Sequence, residues 1–159
     1  MTEDVKLSIS DTHILDICCK IEEASANLYR YFSNLYVDNP KASVIWGKTS
    51  IEEDNHADQF RLASRLKGHG IKSLNSDIYM AKTILAKILT VYEGVQKSPP
   101  SLKEAFRFAI KLEHSLSGYH MESIATFEDE NLAQLFTSMM KNDQGHIQML
   151  EKTLHELCE

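Results

Sequence analysis

Residues 40–67 read PKASVIWGKTSIEEDNHADQFRLASRLK, and the fold turns on this stretch. Pro40 suits the first position of a helix, with Asn39 as its cap. Ala42, Trp46, Thr49, Glu53, His56, Phe60 and Ala63 then recur at spacings of three and four, which puts them on one helical face. The helix is expected to run to about Lys67 and to stop at Gly68-His69-Gly70. Its stripe is apolar at both ends and polar in the middle, where Glu53 and His56 stand one turn apart. Such a face needs partners that cover the apolar ends and satisfy the polar centre.

The rest of the chain offers those partners. Residues 1–10 read as a lead-in and residues 11–159 as a single domain. A first helix is expected from Asp11, as cap, to about Tyr36, with the stripe Leu15, Cys18, Glu22, Ser25, Tyr29 and Phe32. A polar connection over 69–77 leads to a shorter helix from Ile78 to near Gly94. Ser101 and Glu104 form a capping box for a third long helix through about Phe127. Its stripe is Phe106, Ile110, Glu113, Leu116, His120 and Ile124. A fourth helix is expected from about Leu132 to Leu157, with Leu135, Met139, Asp143, His146, Leu150 and Leu154. No segment reads as a strand. The expected architecture is all-α: two antiparallel hairpins joined by a long crossover that contains the shorter helix.

Composition narrows the function classes. Of 159 residues, 43% are apolar and 25% charged, an ordinary globular balance. The net charge of -6 and the lack of a basic block argue against nucleic acid or an anionic membrane as partner. No apolar run approaches the ~20 residues of a spanning helix. The N-terminus MTEDVKLSIS lacks the features of a secretory signal. Cys18, Cys19 and Cys158 form neither a disulfide framework nor a CxxC pair, so a reducing, cytoplasmic setting is expected.

Each long helix thus carries a carboxylate inside its apolar stripe: Glu22, Glu53, Glu113 and Asp143. A buried carboxylate must be paired, protonated or bound to a metal. Near mid-helix no Lys or Arg shares these stripes, but His56 and His146 do, each three residues after an acid. The arrangement repeats: Glu22 to Glu53 is 31 residues, Glu113 to Asp143 is 30, and the two halves are offset by about 91. By helical phase Glu23 and Glu52 are expected to face outward. His120 occupies the stripe position in its helix that Tyr29 occupies in the first, beside the acids, where either packing or a hydrogen bond to a ligand suits it. Tyr29 and Cys18 read mainly as core, and His114 as facing away.

On these residues the chain resembles the ferritin-like superfamily, and within it the rubrerythrin-like di-iron carboxylate proteins. Glu22 with Tyr29 seven later, Glu53-Asp54-Asn55-His56, Glu113 and Asp143-Gln144-Gly145-His146 carry the likeness over about residues 11–157. The resemblance implies a ferritin-like four-helix bundle that holds two Fe ions, with Mn or Zn as alternatives. Glu22, Glu53, His56, Glu113, Asp143 and His146 would be the metal ligands. It further implies oxidoreductase chemistry on O2 or peroxide, such as iron oxidation or peroxide removal, and a homo-oligomer, here a dimer. Two departures stand out. Asp143 takes a place where the family has Glu, and Ile110 and Leu116 flank Glu113 where rubrerythrins carry an extra Glu. The 159 residues hold no four-cysteine rubredoxin-like segment, so an external electron donor is expected. The rival readings are an iron-handling or storage protein and a non-enzymatic helical interaction module with a vestigial site. A substrate monooxygenase is a weaker alternative.

Overall fold

The computed structural model describes residues 8–66, 69–75, 77–140 and 146–159. The chain is mostly helical. Helix α1 (Ile9–Leu35) is capped by Ser8, whose hydroxyl accepts from the Asp11 N–H at 3.1 Å. The cap therefore lies three residues before the expected Asp11, which instead places its charge in the positive first turn. Helix α2 (Pro40–Arg65) begins as expected, with the Asn39 side chain accepting from Ala42 N–H at 3.2 Å.

Pairs between the two helices descend along α1 as they ascend along α2: Ser33 with Ser43, Arg30 with Asp54, Glu22 with His56, Cys19 with Ala57. The first pair is therefore an antiparallel hairpin. Helix α3 (Ile78–Lys97), capped by Asp77, packs on α1. Helix α4 (Leu102–Leu116) opens on the Ser101/Glu104 capping box, with bonds of 3.2 and 2.8 Å, and packs on α7 (His146–Cys158). Helix α6 (Glu130–Met140) precedes α7. The segment expected as one helix over 132–157 is thus seen as α6 and α7; residues 141–145 lie outside the described residues.

Two expectations are corrected between α4 and α6. The third long helix ends at Leu116 and does not reach Phe127. Ser115 and Ser117 turn their hydroxyls back onto the carbonyls of Lys111 and His114, and Gly118 adds the entropic cost of a helical glycine. A 3-10 turn (Ser117–Tyr119) and a single helical turn α5 (Met121–Ile124) follow. Strands are present as well: β1 (Ile71–Leu74) pairs antiparallel with β2 (Ala125–Phe127). Ile71 faces Phe127, Ser73 faces Thr126 and Leu74 faces Ala125, with an irregularity between Ile71 and Ser73. Short β-branched and aromatic runs suit such a ladder once a core covers one face. Ile71 is buried, and Phe127 stacks on buried Phe136 at 5.3 Å.

The core falls into two apolar clusters. One gathers Ile14, Leu15, Cys18, Phe60, Ala63, Ile71, Met121, Ile124 and Phe136. The other holds Leu28 and the rings of Tyr29, Phe32 and Phe106, which pack around Trp46 with centroids 4.6–5.6 Å from its own. Each such ring pair contributes about 0.5–1.5 kcal/mol beyond area burial. Glu22 lies between Cys18 and Tyr29 on α1, and Glu53 and His56 lie between Trp46 and Phe60 on α2. The polar layer sits where the two apolar clusters meet. Among the described residues, no helix is long and apolar enough to cross a membrane.

Candidate metal centre

Four helices and one turn deliver the polar layer. Glu22 comes from the middle of α1, Glu52, Glu53 and His56 from α2, Glu113 from the last turn of α4, and His146 from the first turn of α7. His120 comes from the turn that caps α5, where its backbone is extended. All but His120 are buried: Glu22 and Glu53 are 0% exposed, and Glu113 and His56 are 3% exposed. Helix phase explains why Glu22, Glu53 and His56 point inward, since each replaces an apolar residue in its stripe.

The donors form two groups of three. Ligand atoms of Glu22, His56 and His120 lie within 4.8 Å of one another, as do those of Glu53, Glu113 and His146. Within the first group, Glu22 Oε2 is 3.3 Å from His56 Nδ1, and Glu22 Oε1 is 3.2 Å from His120 Nδ1. The His56 and His120 rings lie 4.5 Å apart, tilted by 53°. The groups are linked, because His56 Nδ1 is also 3.3 Å from Glu53 Oε2. His56 Nδ1 is thus equidistant from Glu22 and Glu53 and joins the two carboxyls. On the other side His146 Nδ1 is 3.8 Å from Glu53 Oε1, and the Tyr29 hydroxyl donates to Glu113 Oε1 at 2.5 Å.

The electrostatics follow from crowding. Burial, then the charges of Glu113 and Glu22, push the Glu53 carboxyl well above its ordinary value. Burial pushes Glu22 the same way, but hydrogen bonds from Glu53, His120 and His56 outweigh it and leave Glu22 lowered. Glu113 is raised, chiefly by burial, against the lowering effect of the Tyr29 hydroxyl. Without a cation the layer therefore holds fewer negative charges than carboxyls. Like charges this close do not all ionise. Burial and neighbouring Glu22 push the Cys18 thiol up to about 12, which makes it an inert packing residue. Tyr29 is raised well above 10 by burial and by Glu113, so it stays a proton donor.

Of the six residues singled out from the sequence, Glu22, Glu53, His56, Glu113 and His146 converge in this layer. Asp143 lies outside the described residues. Two residues gain a role. His120 reaches Glu22, but across the turn after α4 rather than from a continuing helix. Glu52 is corrected: expected to face outward, it is 7% exposed, and its Oε2 is 3.1 Å from His146 Nε2. Adjacent residues on a helix lie about 100° apart, so Glu53 faces the buried donor layer while Glu52 meets His146 of α7. The doubled acid before Asp54-Asn55-His56 was the available signal. Glu23, as expected, is turned away from this layer, pairing with Arg61 across α1 and α2. Neither a family model nor a curated protein nor a solved structure matches this chain.

Proposed function

We propose that this chain is a di-metal carboxylate protein, with iron as the metal, acting as an oxidoreductase on O2 or peroxide. The observation that carries the reading is the pair of three-donor groups, Glu22/His56/His120 and Glu53/Glu113/His146, joined through His56 Nδ1, which is 3.3 Å from both Glu22 and Glu53. The donors fit the group chemically. Oxygen-rich sites with imidazoles suit iron or manganese, and zinc also binds them. Two divalent ions bring four positive charges, and Glu22, Glu53, Glu113 and Glu52 supply four negative ones when ionised. This balance removes the like-charge problem of the buried layer. A ferritin-like arrangement of α1, α2, α4 and α7 around the donors belongs to the same reading.

When bound, two iron ions would supply the reversible ferrous/ferric steps that reduce O2 or peroxide. The protein's own part is positioning and exclusion of water. Glu52 holds His146 by one ring nitrogen and so turns the other toward Glu53. Tyr29 fixes one oxygen of Glu113. Trp46, Phe60 and the two apolar clusters keep bulk water out. Electrons come from a donor outside the chain. The test is consumption of peroxide and of O2 by iron-loaded protein supplied with an added one-electron reductant, compared with the His56→Ala variant and with free iron plus the reductant. Turnover that requires iron and falls at least tenfold in the variant supports the reading. Iron-loaded wild type that consumes neither oxidant sinks it.

A further inference from the structure

Helix α4 has a second face with its own chemistry. Phe108, Lys111 and Leu112 of α4 line a cavity of about 120 Å3 with Ile84, Lys87 and Ile88 of α3. Each helix repeats one pattern there, apolar-x-x-Lys-apolar: Ile84, Lys87, Ile88 on α3 and Phe108, Lys111, Leu112 on α4. Ile88 and Leu112 are buried floor residues of the larger core cluster, while Ile84 and Phe108 are half-buried walls. Lys87 and Lys111 are exposed, and among the described residues neither has a carboxylate partner. The surroundings are unusual for this chain. Over residues 78–116 there are six Lys or Arg against three Glu, in a chain with 17 basic and 23 acidic residues. Of those three, Glu93 is held by Lys97, Glu104 by the Ser101 capping box, and Glu113 by the interior.

An apolar floor with two unneutralised ammonium groups at its mouth calls for an occupant that is apolar at one end and anionic at the other. An apolar cavity of about 150 Å3 holds one benzene, so this one encloses about five heavy atoms, the end of an apolar chain or the edge of a ring. We propose that the α3–α4 cavity binds a small amphipathic carboxylate, a medium-chain acyl or arylalkyl acid whose apolar end it encloses. Its body lies on Ile84, Ile88, Phe108 and Leu112, and its carboxylate lies between Lys87 and Lys111. The site is independent of the donor layer and stands whether or not metal binds there.

The probe is octanoate, titrated into the full chain by calorimetry and by methyl NMR of the isoleucines. Octanoate is expected to saturate at one per chain, shifting the Ile84 and Ile88 methyls. 1-Octanol should bind at least tenfold more weakly, and added salt should weaken octanoate but not octanol. The double variant Lys87→Glu/Lys111→Glu should lose at least tenfold in octanoate affinity with unchanged circular dichroism. Reversal of two exposed lysines elsewhere, Lys48→Glu/Lys72→Glu, carries the same charge change and should leave affinity within about twofold. Several results overturn the proposal: no saturable octanoate binding at millimolar concentration, equal binding of octanol, or equal affinity in the two double variants. It also falls if an acidic amphipathic peptide binds the groove where octanoate does not. A dimer that Lys87→Glu/Lys111→Glu converts to monomer overturns it too, since a second copy would then occupy the groove.

Discussion

Tyr29 and Glu113 meet across α1 and α4 at 2.5 Å, and both are buried. Replacing Glu113 with Leu removes a carboxyl that burial already disfavours as an anion, and adds apolar surface beside Leu112 and Leu116. Such replacements of buried ionisable groups gain on the order of 1–3 kcal/mol. The same change leaves the Tyr29 hydroxyl, 0% exposed, without its acceptor, which costs about 1–3 kcal/mol. The two effects oppose each other, so metal-free Glu113→Leu is expected within about 1 kcal/mol of wild type. Removing both partners lifts the penalty. Tyr29→Phe/Glu113→Leu should exceed both metal-free wild type and Glu113→Leu by about 1–3 kcal/mol. Tyr29→Phe alone leaves Glu113 without its donor and should lose roughly 1 kcal/mol. Urea melts of the four proteins at pH 7 in chelator close the double-mutant cycle. If the double variant is no more stable than Glu113→Leu, the buried Tyr29–Glu113 bond and the cost assigned to it are refuted. Added ferrous iron should then stabilise wild type by about 2.7 kcal/mol at a hundredfold excess over Kd, and leave the double variant nearly unmoved.

Metal-free protein should lose stability as pH rises above 4.5, the ordinary value for Glu53 and Glu113, because the folded state keeps protons there that the unfolded chain has released; chelator-treated melts from pH 5 to 8 that show rising stability would contradict the raised carboxyls. Stabilisation by ferrous iron should grow over the same range, since binding displaces those protons. His120→Ala should weaken iron binding about as much as His56→Ala, tenfold or more, whereas a merely packed His120 would leave affinity unchanged. Glu52→Gln keeps the shape beside His146 Nε2, 3.1 Å away in the wild type, but removes a charge; a tenfold to hundredfold loss of iron affinity is expected, and an unchanged affinity in a chelator competition would return Glu52 to a structural part.

Much of this organisation was legible because it rests on short-range rules. Pro40 with Asn39, and Ser101 with Glu104, mark helix starts through local hydrogen bonds, and the structure makes those bonds. Glu22, Glu53, His56, Glu113 and His146 were visible as polar breaks in apolar stripes, since a buried acid needs a reason. What was not legible depends on tertiary partners. The helix period carried Glu113's stripe through Leu116 to His120 and Ile124, but Ser115, Ser117 and Gly118 break the helix there. His120 still reaches the layer because the 3-10 turn brings the chain back over Glu22. Strand β2 forms only because Ile71–Leu74 is adjacent, and no local pattern shows a partner about 50 residues away. The inward turn of Glu52 depends on a tertiary partner in the same way. Phase relative to α2's own stripe places it outside, but α7 covers that side and His146 meets it there.

On the proposed function, the buried layer holds two metal ions. Anaerobic titration of chelator-stripped protein with ferrous iron, with bound iron counted per chain after desalting, tests it directly. The account predicts two ions per wild-type chain and clear loss of bound iron in His56→Ala and in Glu53→Gln. Fewer than one ion per chain, or two ions whose binding is indifferent to both substitutions, would contradict it.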